Sequence, residues 1–171
     1  LAERNQALEA ARERERLLND RARQAIESVT SDTAIEQLTR QKELRPEQKE
    51  FLDKMIQYYA ESAQEVAATE EERTRQARAY HRMGRLNQIL GRDKDSENAY
   101  RRAVSLFQQL ASDFPNRPEF RQELASSHNV LGVLLRTTGR LKEAESAYIE
   151  GLAIFKQLAA DFPNRPEFRQ A

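Results

Sequence analysis

Asp113-Phe114-Pro115-Asn116-Arg117-Pro118-Glu119-Phe120-Arg121-Gln122 occurs a second time, unchanged, from Asp161 to Gln170. The two copies lie 48 residues apart (161 minus 113). Extending the alignment backwards at that offset keeps producing matches. Gly84 falls on Gly132, Leu86 on Leu134, and Gly91-Arg92 on Gly139-Arg140. Ala99-Tyr100 meets Ala147-Tyr148, Phe107 meets Phe155, and Gln109-Leu110-Ala111 meets Gln157-Leu158-Ala159. A fixed period of this length is the mark of stacked structural repeats, each too small to bury its own apolar faces.

Composition agrees with a helical array. The chain has 171 residues, 33% of them charged, with five Gly, five Pro and no Trp. Gly and Pro both break helix interiors, so their scarcity suits long solvated helices. Lys plus Arg equals Asp plus Glu at 28 each. No net field is therefore present to draw in nucleic acid or an anionic membrane. Cysteine is absent, which removes disulfides, thiolate metal sites and thiol nucleophiles. No apolar run approaches the roughly 20 residues that cross a bilayer. The chain opens on Leu1 and its last residues restart the repeat, so it reads as a piece of a longer protein.

Residues 1–30 read as one charged helix, either a linker or a coiled-coil-like segment. Its seam at alternating spacings of three and four runs Leu1, Arg4, Leu8, Ala11, Glu15, Leu18, Ala22, Ala25, Val29. As a stalk it would support a homodimer. As a linker it would pack only Leu18, Ala22, Ile26 and Val29. Residues 31–68 read as a helical pair packing on the array. A short helix over about 33–42 is followed by one that Pro46 opens, since a first-turn proline loses no hydrogen bond. Phe51, Leu52, Met55, Ile56, Tyr59, Ala63 and Val66 recur at helical spacing and predict a broad inward face. Thr69-Glu70-Glu71-Glu72 predicts a capping box.

The repeats themselves span 69–116 and 117–164, and 165–171 begins a further one. In each, a first helix ends at a glycine (Gly91, Gly139) able to take a left-handed conformation. A second helix follows, from about Lys94 to Asp113 and from about Lys142 to Asp161. Gly84, Gly132, Ala99 and Ala147 predict close approach of the paired helices. The expected fold is all-α, with antiparallel helical hairpins stacked after a long N-terminal helix.

These hairpins resemble tetratricopeptide repeats. The family pattern places an aromatic residue, Leu-Gly, a Gly turn, then Ala, an aromatic residue and Ala on the second helix. Tyr80, Met83-Gly84, Gly91, Ser96, Tyr100 and Ala103 fill those places in the first unit; His128, Leu131-Gly132, Gly139, Ala144, Tyr148 and Gly151 fill them in the second. Ser96 and Gly151 replace alanines, His128 replaces the aromatic, and Asn87 stands where a large residue is usual. The usual period is about 34 residues, so the second helices must be lengthened. The resemblance implies a right-handed solenoid and a concave groove lined by the first helices. Its matching positions are Arg78, His81, Arg85, Gln88, Ser126, Asn129, Val133 and Arg136. Such a groove would hold a protein or peptide ligand, preferably acidic or a C-terminal carboxylate, through Arg and Asn side chains.

More loosely, the opening Leu1-Ala2-Glu3-Arg4-Asn5-Gln6-Ala7-Leu8 followed by charged helices and such repeats is similar to the C-terminal part of planctomycete-type bacterial serine/threonine kinases. That resemblance implies a sensory or docking region of a signalling kinase, on the extracytoplasmic side of a single-pass membrane protein; otherwise the module is expected in the cytoplasm. Kinase chemistry itself is not encoded here: there is no Gly-rich phosphate loop, no His-Arg-Asp and no Asp-Phe-Gly.

No catalytic set converges either. His81 and His128 stand 47 apart, one off the period, and neither has a second His or Cys at ligand spacing. Ser126-Ser127-His128 places neighbours on different sides of a helix, a poor nucleophile–base pair. The expected catalytic, metal and cofactor residues are therefore none. The segment reads as a non-enzymatic interaction scaffold, with a structural spacer or dimerisation segment as its rival.

Overall fold

The structure, a computed structural model, describes residues 6, 8–14, 17, 18, 21, 25, 43–64, 66–165 and 168. Leu1–Pro46 and Glu47–Ala171 are two separate compact units. In the first, residues 6, 8–14, 17, 18, 21 and 25 are helical and exposed. Leu8, Leu17 and Leu18 are each more than half exposed. Ala11 and Ala25 of the seam are exposed as well; Leu1, Arg4, Glu15, Ala22 and Val29, and the short helix expected over 33–42, lie outside the described residues.

From residue 46 on, the described residues form five helices and no strand. They are α1 (Pro46–Gln64), α2 (Glu70–Ile89), α3 (Asp93–Asp113), α4 (Pro118–Thr137) and α5 (Leu141–Asp161). α2 pairs with α3 and α4 with α5 as hairpins, and α3 packs on α4 to stack them.

Local chemistry sets the ends. Pro46 and Pro118 occupy first helical turns. Thr69 caps α2: its Oγ1 accepts from Glu72 N (3.2 Å), and Glu72 Oε2 accepts from Thr69 N (2.9 Å). The backbone N–H groups of Thr69 and then Ala68, both donating to Oε2, hold the Glu72 carboxyl below the usual range. Both hairpin glycines are left-handed, with φ of 69° at Gly91 and 81° at Gly139. Each turn closes through the same pair of bonds. Gly91 N donates to Gln88 O and Arg92 N to Asn87 O; Gly139 N donates to Arg136 O and Arg140 N to Leu135 O.

The core repeats with the sequence. Ala77, Phe107, Leu110 and Phe120 meet in one cluster; one period later Ala125, Phe155, Leu158 and Phe168 meet in another. The expected close approach is present. A Cβ on Gly84 would stand 2.6 Å from Tyr100 Cδ1, and one on Gly132 would stand 2.8 Å from Tyr148 Cε1. Ser96, in an alanine place, is buried and donates its hydroxyl to Gly84 O across the hairpin (2.8 Å). Asn87, in a large-residue place, is buried and donates to Met83 O (2.9 Å).

Two expectations for α1 need correction. Leu52, Tyr59 and Ala63 are buried as predicted, but Phe51 is exposed and Val66 is 91% exposed. Phe51 falls on the solvent side of the helical period, and Val66 lies beyond the helix end at Gln64. The structure also reveals what the sequence hides: α1 sits one period before α3. Leu52, Ile56 and Tyr59 correspond at 48 residues to Tyr100, Val104 and Phe107. In sequence α1 thus stands where a second helix stands one period later. The arginines after the turn glycines tie each hairpin to the second helix before it. Arg92 reaches Asp53 on α1 (3.1 Å for Nη2–Oδ2), and Arg140 reaches Glu97 on α3 (2.6 Å).

Candidate functional site

The eight groove candidates form two sets of four related by the period: Arg78, His81, Arg85 and Gln88 on α2 fall on Ser126, Asn129, Val133 and Arg136 on α4. All retain some exposure. Spacings of three and four along a helix put each set on one face.

Tyr100 organises the α2 set. Its ring is 1% exposed, and its hydroxyl donates to Gln88 Oε1 (3.2 Å). His81 meets the same ring edge-on at 5.6 Å between centroids. Burial pushes the Tyr100 hydroxyl up to about 12, and Arg85 acts in the opposite direction, so the guanidinium lies within electrostatic reach. The structure therefore gathers His81, Arg85 and Gln88 around one phenol. Arg78 is placed differently. Its Nε and Nη2 both donate to Glu123 Oε1 on α4 (3.1 and 3.0 Å), which links the two first helices and engages this cation internally. On α4, the Asn129 amide packs over Gly151, where an added Cβ would stand 2.7 Å from Asn129 Oδ1. A glycine in the family's alanine place is thus explained by the bulk of Asn129. Val133 is exposed. Arg136 is exposed and its guanidinium has no hydrogen bond or ion pair among the described residues.

Glu123 and Tyr100 are the two neighbours of these candidates that sequence reasoning missed. Tyr100 was legible only as a core aromatic. The partner of Arg78 lies 45 residues away, and no spacing rule links them.

The arrangement presents guanidinium and amide donors on one surface. Ser127 is buried and its hydroxyl donates to the Glu123 carbonyl (2.8 Å), so it is not directed at His128. Among the described residues no group of three His, Cys, Asp or Glu could hold a metal ion. No helix there is long and apolar enough to cross a membrane.

His128, in the aromatic position, is 9% exposed, with Nδ1 3.4 Å from Glu150 Oε2. Burial pushes its imidazole below the ordinary value, and Glu150 pulls the other way. The unfolded chain takes up this proton near pH ~6.5, where the folded protein still resists it. Stability is thus full above that pH and falls as pH drops towards the folded value. His128→Tyr, which restores the residue found at Tyr80, should flatten this acid slope. Urea melts at several pH values from neutral into the acid range check it.

Two stretches match family models described as tetratricopeptide repeat: residues 77–109 and residues 124–164. No curated protein and no solved structure matches the chain. Together with the stacked hairpins, the two matches support a tetratricopeptide-repeat family for this region. The architecture is all-α and solenoid-like, with the repeat lengthened to 48 residues.

Proposed function

We propose that this region is a non-catalytic scaffold for protein–protein interaction, and that the face formed by α2 and α4 holds an acidic or C-terminal-carboxylate peptide. The observation that carries the reading is Arg136: an exposed guanidinium at the rim of this face, with no internal partner among the described residues. A carboxylate can accept two parallel bonds from such a fork. Val133 supplies an apolar contact beside it, and Asn129 and Gln88 supply amides suited to an extended backbone. The sequence resemblance supports placing the module in a bacterial serine/threonine kinase, as its sensory or docking region. A structural-spacer reading, with dimerisation through the N-terminal helix, is favoured only by exposed Leu8, Leu17 and Leu18.

Arg85→Glu combined with Arg136→Glu tests the proposal. A pull-down from lysate of the native source should lose its partner in the double variant while circular dichroism stays unchanged. A partner retained by the variant would sink the groove assignment. No variant-sensitive partner together with a dimeric mass would favour the spacer.

A further inference from the structure

A second kind of site repeats in this molecule, on the other side of the first helices. A cavity of about 420 Å³ lies over α2, walled by α1 and α3. One period later a cavity of about 360 Å³ lies over α4, walled by α3 and α5. Equivalent residues line both: Tyr80, Met83 and Asn87 form one floor, and His128, Leu131 and Leu135 the other. On α4 these floor positions are two residues removed from Ser126, Asn129 and Val133, about 200° around the helix axis. The cavity therefore opens away from the proposed groove. Because it recurs at the period, it is built by the stacking of second helices and not by one misplaced side chain.

The two cavities differ in charge at one equivalent wall position. Arg102 stands in the first and Glu150 in the second, 48 residues on. In the second cavity, Arg101 is engaged by Glu97 (2.8 Å) and Glu143 (3.4 Å), and Glu143 is held by Arg140 (2.7 Å for Nε–Oε1). Of the two carboxylates lining this cavity, Glu143 and Glu150, only Glu150 is without an Arg or Lys partner among the described residues. Its neighbour His128, nine-tenths buried in the floor, stands 3.4 Å away through Nδ1.

We propose that the cavity walled by α3 and α5 is a second binding site, which takes the arginine or lysine side chain of a peptide partner. The aliphatic stem lies along Val104, Leu131, Leu135 and Ala147, and the cationic head meets the Glu150 carboxylate. At about 360 Å³ the cavity has room for an arginine or lysine side chain. Ser105 and Gln108 on the α3 wall can bond the peptide backbone on either side of the anchor. Burial keeps His128 below its ordinary value, so near neutral pH it adds no competing positive charge.

The test is a nuclear magnetic resonance titration of the whole chain with the blocked peptide N-acetyl-Ala-Arg-Ala-amide. N-acetyl-Ala-Glu-Ala-amide serves as the control. The arginine peptide should shift the His128 ring resonances saturably, with a Kd of about 1 mM or tighter. The acidic peptide should not. Glu150 is exposed, so Glu150→Gln should leave the fold intact; it should weaken the arginine peptide about tenfold, and Glu150→Arg should abolish the shift. Arg85→Glu with Arg136→Glu should leave the titration unchanged, which separates this site from the groove. Absence of a shift at His128, equal response to both peptides, indifference to Glu150→Gln, or loss in the groove variant would each overturn the proposal.

Discussion

Phe107→Ala is expected to lower the unfolding free energy by about 3–5 kcal/mol, the usual cost of emptying a phenylalanine site in a packed core. Phe107 is 0% exposed and shares a cluster with Ala77 on α2, Leu110 on α3, and Phe120 and Leu124 on α4. It therefore serves two interfaces, the one within its own hairpin and the one to the next. In an array whose stability is a sum of unit and nearest-neighbour contributions, such a residue weakens both. Phe155 is the equivalent one period later, but it is 7% exposed, and among the described residues its buried cluster holds Ala125, Leu158 and Phe168. Phe155→Ala should consequently cost less. Urea melts followed by circular dichroism give both values. A loss at Phe107 no larger than that at Phe155 would contradict its place at the junction.

Gly84→Ala should be nearly as damaging for its size, by about 1–3 kcal/mol, because it overpacks the hairpin. The added methyl would stand 2.6 to 2.9 Å from three ring atoms of Tyr100. Tyr100 cannot move aside freely: it is almost wholly buried, between its own hairpin and Leu131, Leu134 and Leu135 of α4. Coupling to Tyr100→Leu tests the cause. The shorter side chain vacates the space that the methyl needs, so the two losses should add to less than their sum. Strict additivity would place the cost elsewhere.

Much of this fold could be read from the chain. The unchanged Asp113–Gln122 and Asp161–Gln170 segments set the period, and the turn glycines and Thr69–Glu72 box marked helix ends where the structure has them. Those signals are local, carried by backbone conformation and by side chains three or four residues apart. What stayed hidden depends on distant partners. α1 keeps the apolar character of its period at Leu52, Ile56 and Tyr59, and Ala63 in the place of Ala111, but Phe51 and Met55 stand where Ala99 and Ala103 stand in the recognisable repeat. Helical spacing alone placed Phe51 and Val66 inward, but it cannot tell which edge of an apolar stripe is covered. Arg78 reads as a free groove cation until Glu123 folds beside it. The cavity over His128 needs three helices to exist, so no linear motif announces it. The substitutions from the family pattern are explained only by contacts: Ser96 bonds Gly84 O, and Gly151 makes room for Asn129.

The central claim is that the first helices carry the binding face, and a photo-crosslinking residue at Val133 tests it most directly. Val133 is exposed in the middle of the α4 set, four residues from Asn129 and three from Arg136. On illumination in lysate of the native source it should capture a partner through an acidic or C-terminal segment, and Arg85→Glu with Arg136→Glu should abolish that capture. Capture that survives the double reversal, or that occurs at Leu152 on α5 and not at Val133, would contradict the account.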